Sequence, residues 1–194
     1  MAAADIAGWK AEFTHELLGT GRPGVDRLLA YLEWETDFFT APASTKYHGA
    51  YEGGLVKHSL DVFRWLVRFG AIVTSRMDGV PFNSIAIASL LHDICKANFY
   101  EMATRNVKDE SGQWVQVQYY SIRDQFPVGH GEKSVMIAQR YIQLTDDELA
   151  AIRWHMGGFG GDYDRIILSN ALSKWPLVAA VHIADLSATY LAEE

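Results

Sequence analysis

The chain has 194 residues, of which 49% are hydrophobic, 12% aromatic and 21% charged. Those proportions fit one compact soluble domain over residues 1–194 and exclude a disordered chain or two full-sized domains. Seventeen Lys and Arg against twenty-four Asp and Glu give a net charge of -7, which disfavours a protein that grips nucleic acid by backbone electrostatics alone.

Further exclusions follow from single features. Cys95 is the only cysteine, so no intramolecular disulfide forms. No segment approaches the roughly 20 apolar residues of a membrane span. The N-terminus has neither a basic n-region nor a long apolar run, and a cytoplasmic location is expected.

Helical spacing dominates the chain. Ile6, Trp9, Phe13 and Leu17 form one stripe of a first helix over residues 5–18. Gly21, Pro23 and Gly24 break the pattern, and Val25, Leu28, Leu29 and Leu32 support a second helix. An irregular stretch over residues 36–54 carries Tyr47, His48 and Tyr51. From Leu55, the stripe His58, Val62, Trp65, Leu66 and Phe69 predicts a long helix reaching about Ser75. Asn83 is a candidate cap for the next helix, whose body over residues 85–94 is apolar nearly all round and belongs at the centre of the core.

Residues 101–120 read differently. Val107, Trp114, Val115 and Val117 are β-formers around a turn at residues 109–112, which predicts a two-stranded hairpin. Helices resume near Gly131, with Val135, Ile137, Ala138 and Ile142 roughly on one face. Thr145 with Glu148 is a capping box opening a helix that ends at the glycines 157, 158, 160 and 161. A shorter helix covers residues 164–172, and the last begins at Trp175 with Pro176 in its first turn and runs to about Leu191. The expected fold is an all-α bundle with one small inserted β-hairpin.

The chemistry concentrates in His92-Asp93, at the end of the most apolar helix. A buried carboxylate must be paired, hydrogen-bonded or metal-bound, because leaving it isolated costs several kcal/mol, roughly. A hydrogen-bonded pair at the helix end would satisfy it, and so would a metal. His58 lies on the apolar stripe of the long helix, and Asp185 lies among core-like residues of the last helix. A lone His on such a stripe is more often a satisfied core residue than a ligand. Three apolar helices each carrying a metal-capable group nevertheless have one shared explanation, a divalent ion bound by mixed imidazole and carboxylate ligands. Such a set suits Mn, Fe, Co, Ni, Zn or Mg.

The order His58, then His92-Asp93, then Asp185 resembles the HD-domain superfamily of metal-dependent phosphohydrolases. The similarity runs over residues 47–188, leaving 1–46 as a helical extension. It is carried by His48 to Leu60, Leu90 to Lys96, Gly129-His130-Gly131 and His182 to Asp185. Within the superfamily the chain looks most like the HD domain of bacterial 3'-5' exoribonucleases, without room ahead of His58 for their nucleic-acid-binding module.

The resemblance implies that His58, His92, Asp93 and Asp185 bind one metal. His130 and His155 would serve a second, with Asp93 bridging two ions about 3.5–4 Å apart. Relatives with two metals often carry paired histidines where this chain has His155-Met156. Lys96 is implied as a substrate-phosphate contact and His48 and Tyr51 as pocket walls, while Lys133 and Arg153 could clamp phosphate oxygens or simply be solvated charges. His182 is either a support for the ligands or merely packed.

The expected activity is hydrolysis of a phosphoester in a nucleotide or short oligonucleotide, with Asp93 and Lys96 as catalytic residues and water as nucleophile. A phosphorylated small molecule ranks above long nucleic acid as partner, no membrane is involved, and homo-oligomer formation stays open. Trp114, Tyr119 and Tyr120 of the hairpin either cover an edge of the core, the preferred reading, or stack a base. The alternative function is a nucleotide-sensing module that keeps its metal without turnover. No P-loop, dinucleotide fingerprint or serine nucleophile elbow is present.

Overall fold

A computed structural model describes residues 5–72, 76–158 and 161–191. In chain order these form α1 (Ile6–Gly19), α2 (Val25–Trp34), α3 (Gly54–Ile72), α4 (Phe82–Leu91), a 3-10 turn (Ile94–Lys96), β1 (Tyr100–Lys108), β2 (Trp114–Ile122), α5 (His130–Gln139), α6 (Asp146–Trp154), α7 (Asp162–Lys174) and α8 (Pro176–Tyr190). The expected end of the third helix at Ser75, and Gly160 of the glycine cluster, lie outside the described residues.

Helix α4 is the hub, because every residue from Ser84 to Leu91 is buried. It packs against α1, α3, α6 and α8. Fully burying a Leu or Ile stabilises the fold by about 1.5–3 kcal/mol, and Ile87, Leu90 and Leu91 are each completely buried. The two serines of α4 are satisfied: Ser89 Oγ donates to Ile85 O at 2.7 Å and Ser84 Oγ to Glu148 Oε1 at 2.7 Å. Residues of α1 and α2, including Phe13, Leu17, Leu28 and Leu32, join the same core cluster as Leu55, Leu60, Val178 and Val181.

Glu148 has a larger part than its capping box. It is fully buried. Besides closing the box at Thr145 N (2.9 Å), its carboxylate accepts from both terminal nitrogens of Arg22, at 3.0 and 2.6 Å, and from Ser84. One side chain thus ties the loop after α1 to α4 and α6.

Three local expectations are corrected. Asn83 does not cap α4, which starts one residue earlier with Pro81 at its N-cap; Asn83 Nδ2 instead donates to Thr20 O at 2.8 Å. The helix stops at Leu91 rather than continuing to residue 94, since Asp93 at φ -109°, ψ 16° leaves the helical region and opens the 3-10 turn. The hairpin does form, in antiparallel register from Tyr100 opposite Ile122 to Lys108 opposite Trp114. Trp114, Tyr119 and Tyr120 are not among the residues of the core cluster or those packed against it, and Tyr120 instead meets Tyr100 of the same ribbon. Trp114 is 69% exposed beside Lys108, and Tyr119 lies under Arg105.

Helices α5 and α6 meet at a glycine. A Cβ on Gly131 would lie 2.1 Å from the Arg153 carbonyl oxygen, so any larger residue forces the two helices apart. Gly131→Ala is expected to destabilise the protein by about 1–3 kcal/mol and to separate His130 on α5 from His155 at the end of α6. Urea unfolding and metal titration check this, and an unaltered midpoint with unaltered metal uptake would contradict it.

No single helix among the described residues is long and apolar enough to cross a membrane.

Candidate metal centre

Five segments deliver polar side chains to one point inside this apolar bundle. His58 comes from α3, His92 from the C-cap of α4, Asp93 from the junction with the 3-10 turn, His155 from the C-cap of α6 and Asp185 from α8. All five are buried, His92 and His155 completely. His130, first residue of α5, reaches the cluster from a partly open side.

The two oxygens of Asp93 serve different partners. Oδ2 lies 3.4 Å from His92 Nε2 and 3.7 Å from His58 Nε2. Oδ1 lies 2.7 Å from His130 Nε2 and 3.4 Å from His155 Nε2. Asp185 Oδ1 closes the first group, at 3.1 Å from His58 Nε2 and 3.9 Å from His92 Nε2. Within each of three sets, His58 with His92 and Asp93, His92 with His155 and Asp185, and Asp93 with His130 and His155, the donor atoms lie within 4.8 Å of one another.

The backbone prepares two of the imidazoles. His92 Nδ1 lies 2.7 Å from Ser89 O and His155 Nδ1 2.7 Å from Ile152 O. A carbonyl only accepts, so each Nδ1 carries the proton and, in the neutral ring, the lone pair sits on Nε2, facing the cluster. His155 Nε2 is buried and has no hydrogen-bond partner. A buried acceptor left unpaired costs about 1–3 kcal/mol, and a cation at that point would satisfy it. Nitrogen and carboxylate donors without thiolate fit a borderline or hard divalent ion. These buried His and Asp groups could therefore hold a metal.

Charge is balanced inside the cluster. Burial works against ionising Asp93, but Lys96 Nζ at 2.7 Å and the neighbouring histidines hold its carboxyl well below the usual range. Lys96 is raised in turn, its desolvation outweighed by Asp93. Asp185 is likewise held low against its burial, chiefly by the hydrogen bond from His58. Burial lowers His155, whereas His92 is raised because Asp93 outweighs its burial. His130 is pushed up to about 10, its desolvation overridden by the hydrogen bond and charge of Asp93.

A pH dependence follows for the metal-free protein. A raised folded-state value favours the protonated folded form, so the His130 contribution to stability is complete below the ordinary imidazole value of 6.5 and lost as pH rises through about 10. The stability difference between wild type and His130→Ala, measured by urea unfolding, should shrink over that window. A difference that grows with pH would contradict it. A metal at that position displaces the same proton, so its apparent affinity climbs with pH.

The chain matches no protein-family model, no curated protein and no solved structure.

Two cavities border the cluster. One of about 540 Å³ is lined by Asp93, Lys96 and Asp185, with His48, Tyr47 and Met156 among its walls. Another of about 310 Å³ is lined by His48, Tyr51, Lys57, His58 and Asp61, among others. Of the expected substrate contacts, His48, Tyr51 and Lys96 thus reach cavities at the cluster. Burial, with His58 beside it, pulls His48 down to about 4, so its ring is neutral near pH 7.

Lys133 and Arg153 are engaged elsewhere. Lys133 pairs with Asp124 at 2.6 Å and lies over the Phe99 ring. Arg153 pairs with Glu132 at 2.5 Å and stacks on Trp154. His182 Nδ1 lies 2.5 Å from His155 O, which ties α8 to the end of α6. Gly54 serves packing, since a Cβ there would lie 2.0 Å from the Gly49 carbonyl oxygen.

Residues that sequence reasoning passed over include Lys46, Leu186, Thr189 and Tyr190 in the larger cavity, and Cys95, whose Sγ lies 3.3 Å from His130 Nδ1. Lys46 had a signal in its place directly before Tyr47 and His48. Leu186, Thr189 and Tyr190 depend on how α8 meets the loop after α2, and Cys95 on how the 3-10 turn meets α5.

Proposed function

We propose that the chain is an HD-type metal-dependent phosphohydrolase that cleaves a phosphoester bond of a nucleotide or short oligonucleotide, with residues 47–188 as its HD core. The observation that carries this reading is Asp93: each of its oxygens faces a separate histidine set, and both Asp93 and Lys96 line the larger cavity. A bound divalent ion supplies Lewis acidity, making water a nucleophile near neutral pH and offsetting charge on phosphoryl oxygens. His58, His92, Asp93 and Asp185 would hold one such ion and Asp93, His130 and His155 a second.

The chain's own groups supply the rest. Asp93 orients the attacking water along the floor of the cavity. The Lys96 ammonium, already fixed on Asp93, neutralises charge that builds on the phosphoryl group. The apolar surround excludes bulk water and strengthens both interactions. In the larger cavity Lys46 and Lys96 offset the carboxylates of Asp93 and Asp185, so a bound divalent ion would leave the lining net positive on an otherwise acidic protein, which suits a small anion better than a long polyanion.

Chelator-treated protein, resupplied with Mn, Co, Ni, Zn or Mg, is to be assayed against a phosphoester panel alongside elemental analysis. Hydrolysis restored by metal supports the reading. Tight nucleotide binding without product would replace it with a sensor. Lys96→Ala is expected to slow turnover about a hundredfold or more with metal content retained, and an undiminished rate would remove Lys96 from the chemistry.

A further inference from the structure

The hairpin of β1 and β2 packs mainly on itself, and its second strand has an open edge. From Trp114 to Ile122 the strand runs nine residues with no charge, no proline and no glycine. Its one strand partner is β1, and no backbone hydrogen bond joins residues 114–122 to any described residue outside the hairpin. The ladder fixes which groups are left over. Arg123 N–H donates to Phe99 O and Asp109 N–H to Gln113 O, and alternation between these two points turns the backbone groups of residues 115, 117, 119 and 121 towards β1. Those of Trp114, Gln116, Gln118, Tyr120 and Ile122 therefore point outward.

An edge of this length and composition is a template for pairing, and folded proteins ordinarily guard such edges with charge or proline. Strand β1 is guarded in that way by Glu101, Arg105 and Lys108. Strand β2 is not. A two-stranded ribbon is also marginal by itself in water, and a sheet of three or more strands is what stands independently. The large side chains at the two ends of β2 are apolar and open to solvent, Trp114 at 69% and Ile122 at 61% exposure.

We infer that β2 pairs antiparallel with β2 of a second copy of this chain, about a two-fold axis at Gln118, giving a four-stranded sheet across a homodimer. The strand is complementary to itself in that register. Trp114 falls opposite Ile122 of the second copy, so the most exposed apolar side chains of the strand cover each other. Gln116 falls opposite Tyr120, Val117 opposite Tyr119 and Gln118 opposite its own counterpart. The five outward-facing residues of one copy thus bond to the five of the other, and no like charges meet.

Charge beyond the strand favours the same arrangement. Arg123, just past one end of β2, approaches the acidic turn of the second copy at Asp109 and Glu110, just past the other end. Both outer edges of the four-stranded sheet are then β1, whose charged residues discourage further addition, so the assembly closes at two copies.

Sedimentation velocity of the full 194-residue protein, over a series from about 1 to 100 μM that spans dissociation constants of that order, tests the pairing. Wild type is expected to run at twice its chain mass of 21.7 kDa. Gln118→Lys sets two ammonium groups against each other at the axis and Gln118→Glu two carboxylates, and either is expected to raise the dissociation constant at least about tenfold. The substituted side chain is exposed, so the circular dichroism of each variant should match wild type. An equimolar mixture of the two variants opposes Lys to Glu and is expected to recover the dimer. Wild type that stays monomeric throughout overturns the inference and leaves the edge to an extended peptide of another protein. A wild-type dimer that neither charge weakens puts the contact on a different face and overturns it as well. Variants that dissociate singly and do not recover when mixed overturn the two-fold register at Gln118.

Discussion

Asp93→Asn is expected to reduce phosphoester turnover about ten-thousandfold, as when one member of a catalytic unit is removed, and to empty both metal positions together. The effect is large because Asp93 contributes an oxygen to each histidine set, Oδ2 towards His58 and His92 and Oδ1 towards His130 and His155. An amide keeps the shape and one carbonyl oxygen but loses the charge and one acceptor. It also removes the counter-ion that lies 2.7 Å from the buried Lys96. Breaking a buried pair from one side costs about 3–5 kcal/mol, so circular dichroism should show helices retained and a lowered unfolding midpoint. Single ligand variants outside this bridge behave differently. His130→Ala should weaken only the second position, since His58, His92 and Asp185 do not depend on it. Equal metal loss in Asp93→Asn and His130→Ala would mean that the two sets are not separate.

Glu148→Ala is expected to produce the largest loss of stability away from the cluster, about 3–5 kcal/mol, or roughly 10 °C in Tm for a chain of this size. Four hydrogen bonds end on this fully buried carboxylate, from Arg22, Ser84 and Thr145. Its loss strands the Ser84 hydroxyl inside the core and frees the start of α6 from α4. His155 at the far end of α6 and His92 at the far end of α4 depend on that alignment. Metal affinity should therefore fall although Glu148 touches no ligand. A Tm within about 2 °C of wild type would show that the network is dispensable.

Much of the bundle was legible because burial leaves a pattern in one dimension. The unbroken apolar run of α4 announces a central helix, and a histidine on the stripe of α3 or an aspartate in apolar α8 is conspicuous where it stands. The capping box of α6 is local and was readable for the same reason. Its second use was hidden, because Arg22 and Ser84 are distant in sequence and only the tertiary fold brings them to Glu148. The same limit explains Lys133 and Arg153. Whether a cation faces a pocket or a nearby carboxylate depends on which of Asp124, Glu132 and the cluster the packing places within reach. The stop of α4 before Asp93 is likewise a tertiary result, since the carboxylate turns from the helix axis to meet Lys96 and His130. The hairpin was recognised from β-formers around a turn, but Trp114 and Tyr119 find cations within the ribbon and Tyr120 packs on Tyr100, rather than on the core.

On the proposed reading, six buried or half-buried His and Asp side chains hold divalent metal. Elemental analysis of protein loaded with metal and then dialysed tests it most directly. One or two ions per chain in wild type, and none in Asp93→Asn, is the expected result. Wild-type protein that retains no ion, and whose Tm is the same with and without added metal, would contradict it.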